Sequence, residues 1–154
     1  MDLFKLHKQL APLDDSFDMV NWGGCGVVAA MLANKLRHEF PIMRITSTCV
    51  HNDDGLDGIR PQLNNSLDKD EWVDHGVHFG HIWLEVYVDG NWHVLDSTGV
   101  TPIEDMYAEW GHPATGSFTI EEIQSLADTP TWNRTFDRDQ IPAMQDFVDN
   151  ININ

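Results

Sequence analysis

Apolar and polar positions alternate most sharply along residues 79–96. Ile82, Leu84, Val86 and Val88 fall on one side of an extended chain, together with Leu95, and His81, Trp83, Glu85 and Tyr87 fall on the other. Asp89-Gly90 between the two runs is a two-residue hairpin signal. It predicts a register that sets Val88 opposite Asn91, Tyr87 opposite Trp92, Glu85 opposite Val94 and Trp83 opposite Asp96. His81 then lies diagonal to Asp96 on one face, within reach of a ring.

The period changes elsewhere. From Cys25 to about His38, Val27, Val28, Met31, Leu32 and Leu36, with three alanines, cover most of a helical circumference. This predicts a central, largely buried helix that ends before Phe40-Pro41. Residues 42–50 are rich in β-branched side chains and read as a strand. Residues 2–10 read as an amphipathic helix behind an Asp2 cap, with Leu3, Leu6 and Leu10 on one face. Thr119 and Glu122 form a capping box for a helix to about Ala127, and a last helix runs from Gln140 to about Ile151. Residues 11–24 and the stretch after Gly99, punctuated by Pro102, Gly111, Pro113 and Gly116, are expected to be irregular. Residues 51–78 read as a long polar loop, of the kind that serves as a lid or a substrate wall.

At 154 residues the chain is sized for one domain, spanning 1–154. No apolar run approaches the roughly 18 residues of a membrane span. The opening Met1-Asp2-Leu3-Phe4-Lys5 lacks a secretory pattern, so the expected compartment is the cytoplasm. The formal net charge is −16, with nine Lys and Arg against 25 Asp and Glu, which disfavours a nucleic-acid backbone or an anionic membrane as partner. The same charge suits a basic substrate, and equally suits simple solubility. Two cysteines, Cys25 and Cys49, do not make a disulfide framework.

The chemistry lies in Asn21-Trp22-Gly23-Gly24-Cys25-Gly26 and in the hairpin. A cysteine opening a helix has its sulfur where backbone N–H groups and the helix dipole favour a thiolate. A thiolate beside an imidazole, itself oriented by a carboxylate, is an activated nucleophile. Cys25, His81 and Asp96 supply those three roles as catalytic residues. The Cys25 N–H is the natural oxyanion donor, with the Trp22 indole or the Asn21 amide as a second. Trp83, Trp92 and Gly24 are the expected neighbours of the substrate cleft. Each catalytic residue also has an ordinary reading: Cys25 as a small buried hydrophobe, His81 as a satisfied strand histidine, Asp96 as a turn residue before Ser97-Thr98. The helix start, the hairpin register and the chain order agree on the triad. A rival use of His81, as a metal ligand with His75 and His78, lacks a cysteine or carboxylate at metal spacing. Residues 52–58 have calcium-loop ingredients without the closing glutamate. No metal and no cofactor is therefore expected.

Two blocks resemble the transglutaminase-like branch of the papain-like cysteine enzymes. Gly23-Gly24-Cys25 leading a helix, followed by Phe40-Pro41-Ile42-Met43-Arg44-Ile45, is similar to the family's nucleophile helix and next strand. Gly26 departs from it, standing where a large aromatic is common. His81-Ile82-Trp83-Leu84-Glu85-Val86, then Gly90-Asn91-Trp92 and Asp96, is similar to its His-x-Trp-x-Glu-Val strand, turn, Trp and Asp. The resemblance implies an α+β fold in which the Cys25 helix packs against a small antiparallel β-sheet carrying His81 and Asp96. It also implies thioester chemistry on an amide, with a peptide or protein as substrate. Hydrolysis in the manner of a peptidase or isopeptidase, transfer of the acyl group to an amine, and a binding or inhibitor protein that keeps the fold without turnover all remain open.

Overall fold

The computed structural model describes residues 1–20, 23–49, 79–113, 116–127 and 136–154. Asp89 and Gly90 both take positive φ, 50° and 86°, the backbone of a type I′ turn that matches the twist of the flanking strands. The turn joins β2 (Phe79–Val88) to β3 (Asn91–Asp96) with Val88 opposite Asn91, Tyr87 opposite Trp92 and Glu85 opposite Val94. Strand β1 (Met43–Cys49) pairs antiparallel with β2, and β4 (Gly99–Pro102) pairs antiparallel with β3. The sheet order is β1-β2-β3-β4. Near its end the β1–β2 register shifts: Ser47 faces Ile82, but Cys49 faces Phe79, so Gly80 and His81 together oppose Thr48. This is a β-bulge, one extra residue on β2.

Three helices precede the sheet or lie on it: α1 (Leu3–Leu10), α2 (Pro12–Ser16) and α3 (Cys25–Leu36). The Asp2 carboxylate caps α1 by accepting from the Phe4 and Lys5 N–H groups. Every residue of α3 from Gly26 to Ala33 is buried, as its all-round apolar sequence requires. After the sheet come α4 (Ile103–Trp110), α5 (Ile120–Ala127) and, behind a short 3₁₀ turn at Arg138–Gln140, α6 (Ile141–Asp149). The Thr119–Glu122 box opens α5 reciprocally: the Glu122 N–H donates to Thr119 Oγ1 and the Thr119 N–H to Glu122 Oε1, at 3.0 and 3.1 Å.

The main core joins α3 to Ile45, Ile82, Leu84, Val86 and Leu95 of the sheet on one side, and to Ile123, Met144 and Val148 of α5 and α6 on the other. Gly26 shows how tight this is. A Cβ there would sit 3.4 Å from Ile82 and 3.5 Å from Ile123, so the residue after Cys25 has no room to be large. On the opposite sheet face, Trp83, Val94 and Met106 form a smaller core with Ile103 and Tyr107 of α4. The protein is thus an α+β fold with a four-stranded antiparallel sheet.

Two stretches expected to be irregular are ordered. Pro12 starts α2 inside residues 11–24, at a position where its missing N–H costs nothing. After the sheet's second hairpin, Pro102 closes β4 and leads into α4, whose Ile103, Met106, Tyr107 and Trp110 recur at helical spacing. Among the described residues, no helix is long and apolar enough to cross a membrane.

Candidate active site

Asp96 ends β3 and faces two ways. Its Oδ1 accepts from the Thr98 N–H at 2.9 Å and from the Thr98 hydroxyl at 2.6 Å, closing the Ser97-Thr98 turn into β4. Its Oδ2 accepts from Nε2 of His81 at 3.0 Å. The residue that closes the turn and the partner of the imidazole are therefore one carboxylate. Burial pushes its pKa up, but the bonds from His81 and Thr98 outweigh that and hold the carboxyl below its ordinary value.

With Nε2 committed to Asp96, the other ring nitrogen of His81 is left to act. Nδ1 is buried and has no hydrogen-bond partner. Cys25, half-buried at the first position of α3 and a free thiol, lies close enough to favour the charged ring. Burial alone would depress the imidazole. Asp96 and then Cys25 more than offset it, and His81 is pushed up to about 9. At neutral pH the ring is an imidazolium, tied to Asp96 through Nε2 and with Cys25 nearby.

The start of α3 is built to hold this place. Gly24 is its N-cap, no side chain caps the helix among the described residues, and the first-turn N–H groups are left for another acceptor. Gly24 is closely packed: a Cβ on it would lie 2.8 Å from the Val20 carbonyl oxygen and 2.9 Å from the Phe136 ring. Gly24→Ala is expected to cost about 1–3 kcal/mol in urea unfolding, the usual penalty of overpacking, and to lower Cys25 alkylation because the helix start must shift.

His81 is only 1% exposed because two indoles enclose it. Trp110, the last residue of α4, stacks on the imidazole with ring centroids 4.6 Å apart and planes 25° apart. Trp83 lies tilted beside it at 5.7 Å. Trp110 itself is 38% exposed, so one aromatic surface shields the ring while another opens to solvent. Trp83 is fixed by Glu85, whose carboxylate is fully buried. Glu85 Oε1 accepts from the Trp83 indole N–H at 3.0 Å and from the Tyr107 hydroxyl at 3.3 Å, and Oε2 accepts from Arg44. Tyr107 is one turn before Trp110, so the same carboxylate fastens α4 over the sheet. Burial, then the Glu85 charge, push the Tyr107 phenol above its ordinary value.

The structure brings Cys25, His81, Asp96 and Trp83 together. It does not bring Trp92 to them: Trp92 packs on Tyr87 and under the Arg44 guanidinium, six positions along β2 from His81, or roughly 20 Å. Trp110 and Glu85 were not singled out by sequence. The helical spacing of Trp110 with Ile103 and Met106 was the available signal for the first. The suggested oxyanion donors Asn21 and Trp22 lie outside the described residues, as do His75, His78 and residues 51–78. Among the described residues no group of three His, Cys, Asp or Glu side chains is arranged to hold a metal ion. A cavity of about 340 Å³ between α3, α5 and α6, lined in part by Val27, Met31, Gln124 and Ile141, touches none of the three site residues. Comparison of the chain with family models, with curated proteins and with solved structures gave no match in any of the three.

Proposed function

We propose that this protein is a cysteine-dependent amide hydrolase, of peptidase or isopeptidase type, working through a thioester on Cys25. The observation that carries the reading is the setting of His81: Nε2 bound to Asp96, Nδ1 buried without a hydrogen-bond partner, and Cys25 near enough to favour the charged ring. An imidazolium in that place stabilises a neighbouring thiolate. The thiolate attacks the amide carbonyl, and the oxyanion is received by the uncapped N–H groups at the start of α3. His81 then gives its proton to the departing amine, and the thioester forms. Water, deprotonated at Nδ1, attacks the thioester; the acid leaves and the thiolate–imidazolium pair is restored. Asp96 keeps Nε2 protonated and the ring in place throughout. Hydrolysis is preferred over transfer to an amine because water needs no second substrate site. The fold that this chemistry would belong to is the transglutaminase-like one.

The test is iodoacetamide alkylation of Cys25 against pH, read by mass spectrometry, in the parent and in His81→Ala. Rapid alkylation at pH 6–7, well below the ordinary thiol value of about 8.5, is expected in the parent, with a loss of at least about tenfold in His81→Ala. A slow Cys25 that is indifferent to His81 removes the enzyme reading and leaves a binding protein. Given an activated Cys25, acyl transfer to an added amine in competition with water separates transferase from hydrolase.

A further inference from the structure

We infer that Thr48 is a positioning residue for His81, its hydroxyl standing in for a strand partner at the bulge and fixing the backbone from which the imidazole reaches Asp96. Three features of the bulge fit one another. The extra residue on β2 places both Gly80 and His81 against Thr48, so the regular ladder is interrupted where His81 needs a partner. The Thr48 hydroxyl supplies one, accepting from the His81 N–H at 3.0 Å. Gly80 makes room for it: a Cβ there would lie 2.5 Å from Thr48 Oγ1. The consequence bears on the ring. From Ile82 onward β2 is held by its ladders to β1 and β3, but inside the bulge the β1 ladder does not hold His81, and a turn of its backbone on loss of the Thr48 bond would swing the ring off Asp96. His81 lies within the bulge, one residue before the regular ladder resumes at Ile82, and its 3.0 Å bond to Asp96 tolerates no such movement.

The inference rests on reading His81 as the base, but its test does not need an active Cys25. The groups that act on the ring are Asp96 from β3 and Cys25 from α3. Trp110 of α4 and Trp83 of β2 face it as uncharged aromatics, and Thr48 as a neutral hydroxyl. Thr48→Val keeps the shape and removes the acceptor; Thr48→Ser keeps the acceptor. The readout is the NMR titration of the His81 ring C–H, identified by its absence in His81→Ala, with the Cys25 alkylation rate at pH 6.5 beside it. In Thr48→Val the His81 midpoint is expected to fall by about one pH unit or more towards the ordinary 6.5, and His81-dependent alkylation by about tenfold. Thr48→Ser is expected to stay within about twofold of the parent rate, with an unchanged midpoint. If Thr48→Val does not fold, Gly80→Ala, which displaces the hydroxyl, must lower the midpoint in the same direction. A Thr48→Val or Gly80→Ala protein that melts earlier but titrates His81 as the parent does overturns the inference. An alkylation rate indifferent to His81 in the parent overturns the enzyme reading instead, and the ring titration still decides the role of Thr48.

Discussion

Arg44→Ala is expected to destabilise the fold by about 3 kcal/mol, far more than a side chain 41% exposed would ordinarily suggest. The cost lies in what is left behind. Arg44 is the cationic partner of Glu85, whose carboxylate is wholly inside, beneath α4. Without Arg44 that carboxylate keeps, among the described residues, two neutral donors, the Trp83 indole and the Tyr107 hydroxyl. An uncompensated buried charge is what makes breaking such pairs expensive. The guanidinium lost from the face of Trp92, 4.2 Å from its centroid, adds a smaller amount, about 0.5–1 kcal/mol at a site this exposed. Urea unfolding at neutral pH measures the total. The discriminating comparison is Arg44→Ala with Glu85→Gln: a neutral amide in place of the stranded carboxylate should recover part of the loss. If the double variant is less stable than Arg44→Ala alone, the charge is not the source of the cost.

The second large effect is on pH. An imidazole that titrates at about 9 in the folded protein, against 6.5 unfolded, binds its proton more tightly when folded. Below pH 6.5 both states are protonated and the whole stabilisation is present. Between 6.5 and about 9 the unfolded chain releases the proton while the folded one retains it, so stability falls as pH rises. Above about 9 the contribution is gone. At 1.36 kcal/mol per pH unit the loss is on the order of 3 kcal/mol across the window. Asp96 works in the opposite direction. Its carboxyl is held below the ordinary value, so its contribution is present at neutral pH and is lost as the solution becomes strongly acidic. Chemical denaturation from pH 6 to 9.5 should show the first slope in the parent and a much flatter one in His81→Gln. Equal slopes in the two proteins would assign the decline to other groups.

How far the sequence reveals this molecule depends on the range over which each feature is determined. Asp89-Gly90 allows one compact reversal, and the pairs of β2 with β3 follow from it by counting; the meeting of His81 with Asp96 is a consequence of that local arithmetic. Asp2 and the Thr119–Glu122 box are equally local, and they form the hydrogen bonds their residue types suggest. Gly99 and Pro102 mislead because the same residues that break one element can join two. Gly99, at φ 121°, lies opposite Asp96 across the tight Ser97-Thr98 turn, and Pro102 lies between β4 and α4. The Glu85 network and the Trp110 stack had no sequence signature of comparable strength, because each depends on α4 crossing the far face of the sheet. Thr48 is harder still. A bulge is a mismatch between two strands, and neither strand alone contains it.

Asp96 binds Thr98 through one oxygen and His81 through the other, and both partners are close to it in sequence. Asp96 is fifteen positions from His81 and two from Thr98, so the acid–base half of the site closes over short loops, at small entropic cost and within one hairpin. Cys25 arrives from before β1, across a much longer closure, and meets His81 only when α3 docks on the sheet. A chain caught with its hairpin formed and α3 undocked carries an oriented imidazole and a thiol with nothing beside it. The reactivity proposed for Cys25 therefore requires α3 to be docked on the sheet.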